Sequence, residues 1–168
     1  MEYIAKKFIG SAEIDGELID VISPYSKEVV TKYVKCDVVD AKRALEVAKR
    51  AFNNTKRSTL HQRIAWIEDV ANKLKENKEY FALLITKEVA KPISQAKVEV
   101  QRCIENLELC AKELIHLNGE TIPTDATATG VKSDSFYKRV PAGVVVAITP
   151  FNFPLNLVAH KIAPALGA

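Results

Sequence analysis

The chain has 168 residues, of which 48% are hydrophobic and 27% charged, and this composition is typical of a soluble globular protein with a sizeable core. Its net charge of +3 comes from interleaved Lys and Glu, so nucleic-acid binding is only a distant alternative. The longest apolar run, residues 144–148, is far too short to span a bilayer, and no signal sequence is evident. Three cysteines and three histidines without ligand spacing argue against disulfides and a metal site, and predict a cytoplasmic protein.

Residues 1–35 are predicted to form short β-strands. Runs rich in β-branched and aromatic residues lie at 3–9, 17–23 and 28–34. Turn-forming residues such as Asp15-Gly16 separate these runs, and the sequence therefore predicts a small antiparallel meander.

Four amphipathic helices are predicted between residues 37 and 118, where hydrophobic residues recur at spacings of three and four. The residues predicted to begin them are Asp37 (with Asp40 three residues on), Ser58, Asn77 and Pro92. Asn118-Gly119 is predicted to close the fourth helix with a left-handed glycine cap.

The next segment mixes turn residues with two strand-like runs. Residues 120–134 are predicted to be an exposed connection. Residues 135–140 and 143–148 are predicted to form either a hairpin or one strand that bends into another sheet. Because residues 143–148 carry no polar side chain, they are typical of a strand buried on both faces.

A final helix is predicted to begin near Pro154, which suits a first helical turn. Pro164 lies inside this helix and is expected to kink or shorten it. The apolar stripe of the helix consists of Leu155, Val158, Ile162 and Leu166.

A rigid corner is predicted between the last strand-like run and the final helix. Pro150 and Pro154 prevent both a continuing ladder and a continuing helix, so the chain must turn there. In open α/β sheets, ligands bind at the carboxyl ends of strands. Asn152, between the two prolines, offers a neutral donor for a developing negative oxygen. The alternative is a side chain that merely bonds its own backbone in the turn.

Several segments in this order resemble the N-terminal third of an NAD(P)-dependent aldehyde dehydrogenase. The segments that carry the resemblance are Ser23-Pro24-Tyr25-Ser26, the helix at 37–52, residues 88–93, residues 139–144 and the Asn152 corner. Phe151 replaces the tryptophan more usual in this corner, and the variant is similar to the lactaldehyde and non-phosphorylating glyceraldehyde-3-phosphate dehydrogenase branch.

The resemblance implies an α/β fold with a short β-meander, four helices and the first strand of a Rossmann-like cofactor domain, most of whose sheet is missing. Residues 1–134 would be the N-terminal part of the cofactor-binding domain. Residues 135–148 would form a bridging and oligomerisation hairpin, and residues 149–168 the oxyanion corner and its helix. The intact enzyme would be a homodimer or homotetramer.

The resemblance also implies roles for individual residues. Asn152 would donate to the thiohemiacetal oxyanion formed from a small aldehyde substrate. The residues that would line the nicotinamide-ribose end of an NAD or NADP cleft are Ile148, Thr149, Pro150 and Phe151. The nucleophilic cysteine, the general-base glutamate and a cofactor-contacting lysine would lie beyond Ala168, and none of Cys36, Cys103 and Cys110 falls at the nucleophile's place.

Two hypotheses therefore differ in what the chain does alone. As an enzyme fragment, it is expected to be inactive and to associate through an exposed apolar face. As a non-enzymatic helical interaction protein, it is expected to be monodisperse and to fold cooperatively by itself.

Overall fold

The computed structural model of the protein describes residues 3–168, which contain seven strands and five α-helices. The strands are β1 Tyr3–Ala5, β2 Lys7–Ile9, β3 Ala12–Ile14, β4 Leu18–Ile22, β5 Val29–Val34, β6 Glu120–Ile122 and β7 Ser135–Tyr137. The helices are α1 Val38–Thr55, α2 Leu60–Glu76, α3 Lys78–Val89, α4 Ile93–Glu113 and α5 Asn156–Gly167. The predicted α/β class is confirmed.

The predicted antiparallel meander is wrong, because the first run of residues divides between two sheets. β1 pairs in parallel with one edge of β5, and β4 pairs antiparallel with the other edge. β2 and β3 form a separate hairpin whose short turn contains Gly10 at φ +66. Glycine adopts this left-handed backbone without a steric penalty, which suits a tight hairpin turn. Local runs thus predict the strands but not their partners.

The start of α1 is a capping box, as the sequence predicts. The Asp37 carboxylate accepts from the Asp40 backbone N–H at 2.8 Å, and the Asp40 carboxylate accepts from the Asp37 N–H at 3.1 Å. Lys7 Nζ lies 2.8 Å from Asp40 Oδ2 and joins β2 to this helix start. This ion pair, together with the Asp37 N–H bond, lowers the pKa of Asp40 below its ordinary value.

The starts of the next three helices lie within one residue of their predicted positions. α2 is capped by Thr59 rather than by Ser58, because Thr59 has Gln62 three residues on and forms a reciprocal capping box with it. Asn77, predicted to start α3, stands one residue before it, and its side chain makes no capping hydrogen bond. Pro92 stands one residue before α4 instead of opening it.

The helix α4 is the centre of the helical layer and packs against α2, α3 and α5. Its predicted apolar stripe is buried except at Ile93, which is 43% exposed, and Ile104 is among the most deeply buried side chains. The side chains that meet this stripe from the neighbouring helices include Ile67, Ala71, Leu74, Ala82, Ile85, Ala159 and Ala163. The stability of the described chain therefore depends on one core around α4.

The predicted left-handed glycine cap after α4 is wrong. The helix tightens after Glu113 into a 3₁₀ turn, Leu114–His116, and Gly119 has no positive φ. Glycine is required at position 119 because the Tyr137 backbone packs closely against it. A Cβ atom at this position would collide with the Tyr137 carbonyl. This approach lies beside the antiparallel pairing of β6 with β7.

The helix α5 follows its prediction only in part. It continues through Pro164 to Gly167 and is not shortened, while the kink at Pro164 stays a prediction, and a backbone hydrogen bond from Ala168 to Pro164 extends its last turn. It also buries its small residues, while Ile162 and Leu166 are exposed. Small side chains allow a close approach to α4, and a Cβ at Gly167 would collide with the Leu114 side chain.

The predicted buried strand at 143–148 is wrong, as is its hairpin with 135–140. β7 pairs with β6, and residues 138–150 form neither helix nor strand. Among residues 3–168, no hydrogen bond reaches the backbone of residues 139–151. A strand requires a ladder partner, and the described chain offers none for these residues. The domain boundaries at 134 and 148 stay predictions.

Two apolar surfaces remain uncovered in the described part of the chain. α1 buries none of its residues, although its stripe contains Leu45 and Phe52. The second surface consists of Val140, Val144, Val145, Val146 and Ile148. No helix among the described residues is both long and apolar enough to cross a bilayer.

Candidate functional site

Asn152 lies in a corner between residues 139–151, which carry no regular structure, and the start of α5. Its backbone carbonyl accepts a hydrogen bond from Lys91 Nζ at 2.9 Å. The side chain is exposed, and within residues 3–168 its amide makes no hydrogen bond. The self-bonded turn that the sequence left open is therefore not formed, and the amide is available as a donor to a ligand.

Glu99 is a residue of this corner that the sequence analysis did not identify. It lies on the buried face of α4 and is only 1% exposed. Its Oε1 accepts from the backbone N–H groups of Leu155 at 2.9 Å and Asn156 at 3.3 Å. These are the first N–H groups of α5, so Glu99 caps that helix from a different element. A carboxylate within an otherwise apolar helical stripe was the signal that could have found it.

Lys91 joins Glu99 to the corner. Its Nζ forms an ion pair with Glu99 Oε2, donates to the Asn152 carbonyl and lies 4.1 Å from the centroid of the Phe153 ring. Ala90, in the left-handed conformation at φ 54, ends α3 just before Lys91. A cation and a buried carboxylate thus hold the corner at Asn152, Phe153 and the start of α5.

The four predicted cofactor-contacting residues are consecutive and lie on an open surface beside Asn152. Ile148 is 84% exposed and Phe151 is 87% exposed, whereas Thr149 is half-buried. Pro150 is exposed between them. Among the described residues, the peptide groups of residues 148–151 make no hydrogen bond, and their role in binding a cofactor stays a prediction.

The three cysteines differ in environment. Cys103 is buried beside the corner, with its Sγ 3.9 Å from the Leu155 carbonyl. Burial, and secondarily the nearby Glu99 carboxylate, raise the pKa of Cys103 to about 11. Burial also raises the pKa of Cys110, while Cys36 is exposed. The thiolate is the reactive form, so neither Cys103 nor Cys110 has the properties of an activated nucleophile.

We expect native-state thiol labelling at neutral pH to modify Cys36 first. Cys110 should react more slowly, and Cys103 only after unfolding, because its thiol is both buried and protonated. Mass spectrometry of peptides after brief alkylation, with a urea-unfolded sample as control, measures this order. Rapid labelling of Cys103 in the folded chain would contradict the buried environment described above.

Comparison with known proteins shows the family to which this arrangement corresponds. A family model described as "Aldehyde dehydrogenase family" matches residues 10–168. The chain belongs to the aldehyde dehydrogenase family. It is 40% identical over 159 residues to a lactaldehyde dehydrogenase of Methanocaldococcus jannaschii, covering 95% of this chain and 33% of that protein. A 3-sulfolactaldehyde dehydrogenase of Priestia aryabhattai is 33% identical over the same length. The chain thus spans about a third of these curated relatives.

Solved structures show the same likeness. Aldehyde dehydrogenase 21 from Physcomitrella patens, in complex with the reaction product succinate, has a TM-score of 0.93 at 33% identity. The match covers 99% of this chain and 35% of that one. Glyceraldehyde-3-phosphate dehydrogenase GapN from Methanocaldococcus jannaschii, complexed with NADP, has a TM-score of 0.82 at 40% identity. That match covers 92% of this chain and 32% of GapN. The N-terminal portion of the family fold is therefore present here.

Proposed function

We propose that this chain supplies the oxyanion-binding amide and one wall of the cofactor cleft of an aldehyde dehydrogenase. The reaction would oxidise a small aldehyde to a carboxylic acid with NAD or NADP. The observation that carries the proposal is Asn152, whose amide is exposed at a fixed corner and makes no hydrogen bond to the described residues. Membership of the family supports this use of the amide.

The chemistry assigned to Asn152 follows from its neutral amide. Attack of a cysteine thiolate on an aldehyde carbon places negative charge on the former carbonyl oxygen. The Asn152 side chain would donate an N–H to that oxygen from a backbone that Lys91 already holds through the Asn152 carbonyl. The thiolate would come from a cysteine outside this chain, as the family resemblance implies, and the burial that raises the pKa of both Cys103 and Cys110 agrees with this.

The cofactor proposal depends on the open surface at residues 148–151. NAD or NADP, when bound, supplies the acceptor for the hydride released by the oxidised carbon. Ile148 and Phe151 would cover an apolar face of the nicotinamide ribose, and the unpaired peptide groups between them would bond its polar edge. Complexes of related structures with NADP support this assignment.

A homodimer or homotetramer is proposed for the intact enzyme. The exposed segment at 140–148, with its row of valines, offers an apolar surface for contact with the remainder of the subunit or with a second subunit. The same surface argues against a self-sufficient helical interaction protein, because such a chain would be expected to cover its strand-like residues.

The chain of residues 1–168 is expected to reduce neither NAD nor NADP in the presence of aldehydes. It has the proposed oxyanion donor, whereas the nucleophile is proposed to lie outside this chain and burial raises the pKa of Cys103 to about 11. Absorbance of the reduced nicotinamide measures this. Lactaldehyde is the first substrate to test, because a related protein is named lactaldehyde dehydrogenase. A longer polypeptide that includes the proposed cysteine should be active under the same conditions. Turnover by the 168-residue chain alone would overturn the proposal.

A further inference from the structure

Within the described chain, few hydrogen bonds hold the corner that carries Asn152. The Asn152 carbonyl accepts a hydrogen bond from Lys91 Nζ at 2.9 Å, and the Leu155 and Asn156 N–H groups donate to Glu99 at 2.9 and 3.3 Å. Pro154 stiffens the backbone between these points, and Pro150 stiffens it just before Asn152. Residues 139–151, just before the corner, make no backbone hydrogen bond to any described residue.

We infer that Glu99 and Lys91 are positioning residues for Asn152, and this inference rests on the function proposed above. Glu99 is anchored in the core helix α4, and it fixes the first turn of α5 through two backbone N–H groups. Lys91 extends that anchor to the Asn152 carbonyl and to the Phe153 ring. The direction of the Asn152 side chain is thereby tied to the rigid helical core.

The two residues depend on each other. Glu99 is buried, with a fully covered side chain, while the Lys91 side chain is 14% exposed. A carboxylate in such a place is tolerated when it is paired and accepts further hydrogen bonds, as Glu99 does. Removal of Lys91 therefore frees the Asn152 carbonyl and also leaves the Glu99 carboxylate without its counter-ion.

The inference is tested by a double-mutant cycle in the longer polypeptide that carries the proposed cysteine. Lys91→Met keeps most of the aliphatic stem and removes the ammonium group. We expect kcat to fall about 10–100-fold, because a misplacement of roughly 1 Å at a catalytic group costs about 10²-fold in rate. In an Asn152→Ala background, the same Lys91 substitution should change kcat by only about threefold or less, since the donor it positions is gone.

The control variant is Lys97→Met. Lys97 lies on the same helix as Glu99 and forms an ion pair with Glu79 at 2.8 Å. The side chains of both partners are largely exposed. Loss of Lys97 should leave kcat within about twofold of the wild-type value, as expected for a surface ion pair. All variants are assayed well below their unfolding temperatures, so that a lower kcat reports the folded enzyme.

Hydrogen exchange of the 168-residue chain provides a second measurement. In Glu99→Gln the neutral amide is a weaker acceptor than the carboxylate, so the amides of residues 155 and 156 should exchange about tenfold faster. Exchange in the middle of α2 should stay unchanged. Unchanged exchange at 155 and 156 would show that Glu99 does not fix the corner.

The possible kinetic results separate the two proposals. A large loss from Asn152→Ala with no loss from Lys91→Met overturns the positioning role and leaves the proposed function standing. Equal losses from Lys91→Met in both backgrounds also overturn it, because they show a general structural effect. No loss from Asn152→Ala, or an inactive wild-type polypeptide, overturns the proposed function and the positioning role with it.

Discussion

Asn152→Ala is expected to lower kcat for aldehyde oxidation by about 10²–10³-fold in the longer polypeptide that carries the proposed cysteine. The amide is exposed, and in the described chain it has no protein acceptor or donor that it must satisfy. Its removal therefore leaves the fold intact and takes one donor from the oxygen that gains charge. The KM for the aldehyde should change much less, because the donor matters most when the charge has developed.

Steady-state kinetics under saturating NAD or NADP measures this effect. Asn72→Ala provides a matched control, since Asn72 is an exposed asparagine on α2, a helix that does not form the corner. A loss of unfolding temperature in Asn152→Ala without a loss of kcat would indicate a turn-stabilising side chain instead. That outcome would remove the role proposed for Asn152.

Ile104→Ala is expected to lower the free energy of unfolding of the 168-residue chain by about 2–5 kcal/mol. Ile104 is 1% exposed and lies at the centre of the only core cluster described, on the helix that three others contact. Removing three side-chain carbons there leaves a cavity that the surrounding helices fill only in part. Since single domains are stable by only about 5–15 kcal/mol, this loss is a large fraction of the total.

Urea unfolding followed by circular dichroism measures the Ile104 effect. Leu109→Ala on the same helix is the control, because Leu109 is exposed and its truncation should cost well under about 1 kcal/mol. Similar losses from both substitutions would show that the packing around α4 is not that of a formed core.

The helices could be predicted from the sequence because their signals are local. The Asp37 and Asp40 pair forms the expected capping box, and the apolar stripe of α4 is the one that the spacing indicates. The error at Ser58 is also local, since the adjacent Thr59 has the better partner in Gln62. α5 was misjudged because its packing is decided by close approach to α4, which favours small side chains over the larger stripe.

Strand pairing could not be predicted in the same way. The partner of β1 is β5, and the residues between them belong to other strands. Pairing of that kind is set by tertiary packing rather than by a turn signal. Residues 143–148 read as a buried strand from their composition, yet a ladder needs a neighbour that the described chain does not provide.

In the candidate site too, residues marked by local sequence signals could be predicted, and residues that reach the site from distant parts of the chain could not. Asn152 and residues 148–151 were identified because the two prolines and the family resemblance mark the corner in the sequence itself. Glu99 and Lys91 were missed because they contact the corner across more than fifty residues of chain, at separations of 56 and 61. Nothing local distinguishes Lys91 from a solvated lysine, whereas Glu99 interrupts an apolar stripe and could have been questioned on that ground.

The most direct test of the central proposal is the coding sequence beyond the codon for Ala168. We expect the reading frame to continue into a strand with a lysine, and later to encode a glutamate and a cysteine that complete the chemistry begun at Asn152. A stop codon directly after Ala168 would contradict this account. Asn152 would then have no nucleophile to serve, and the chain would have to act as a binding protein.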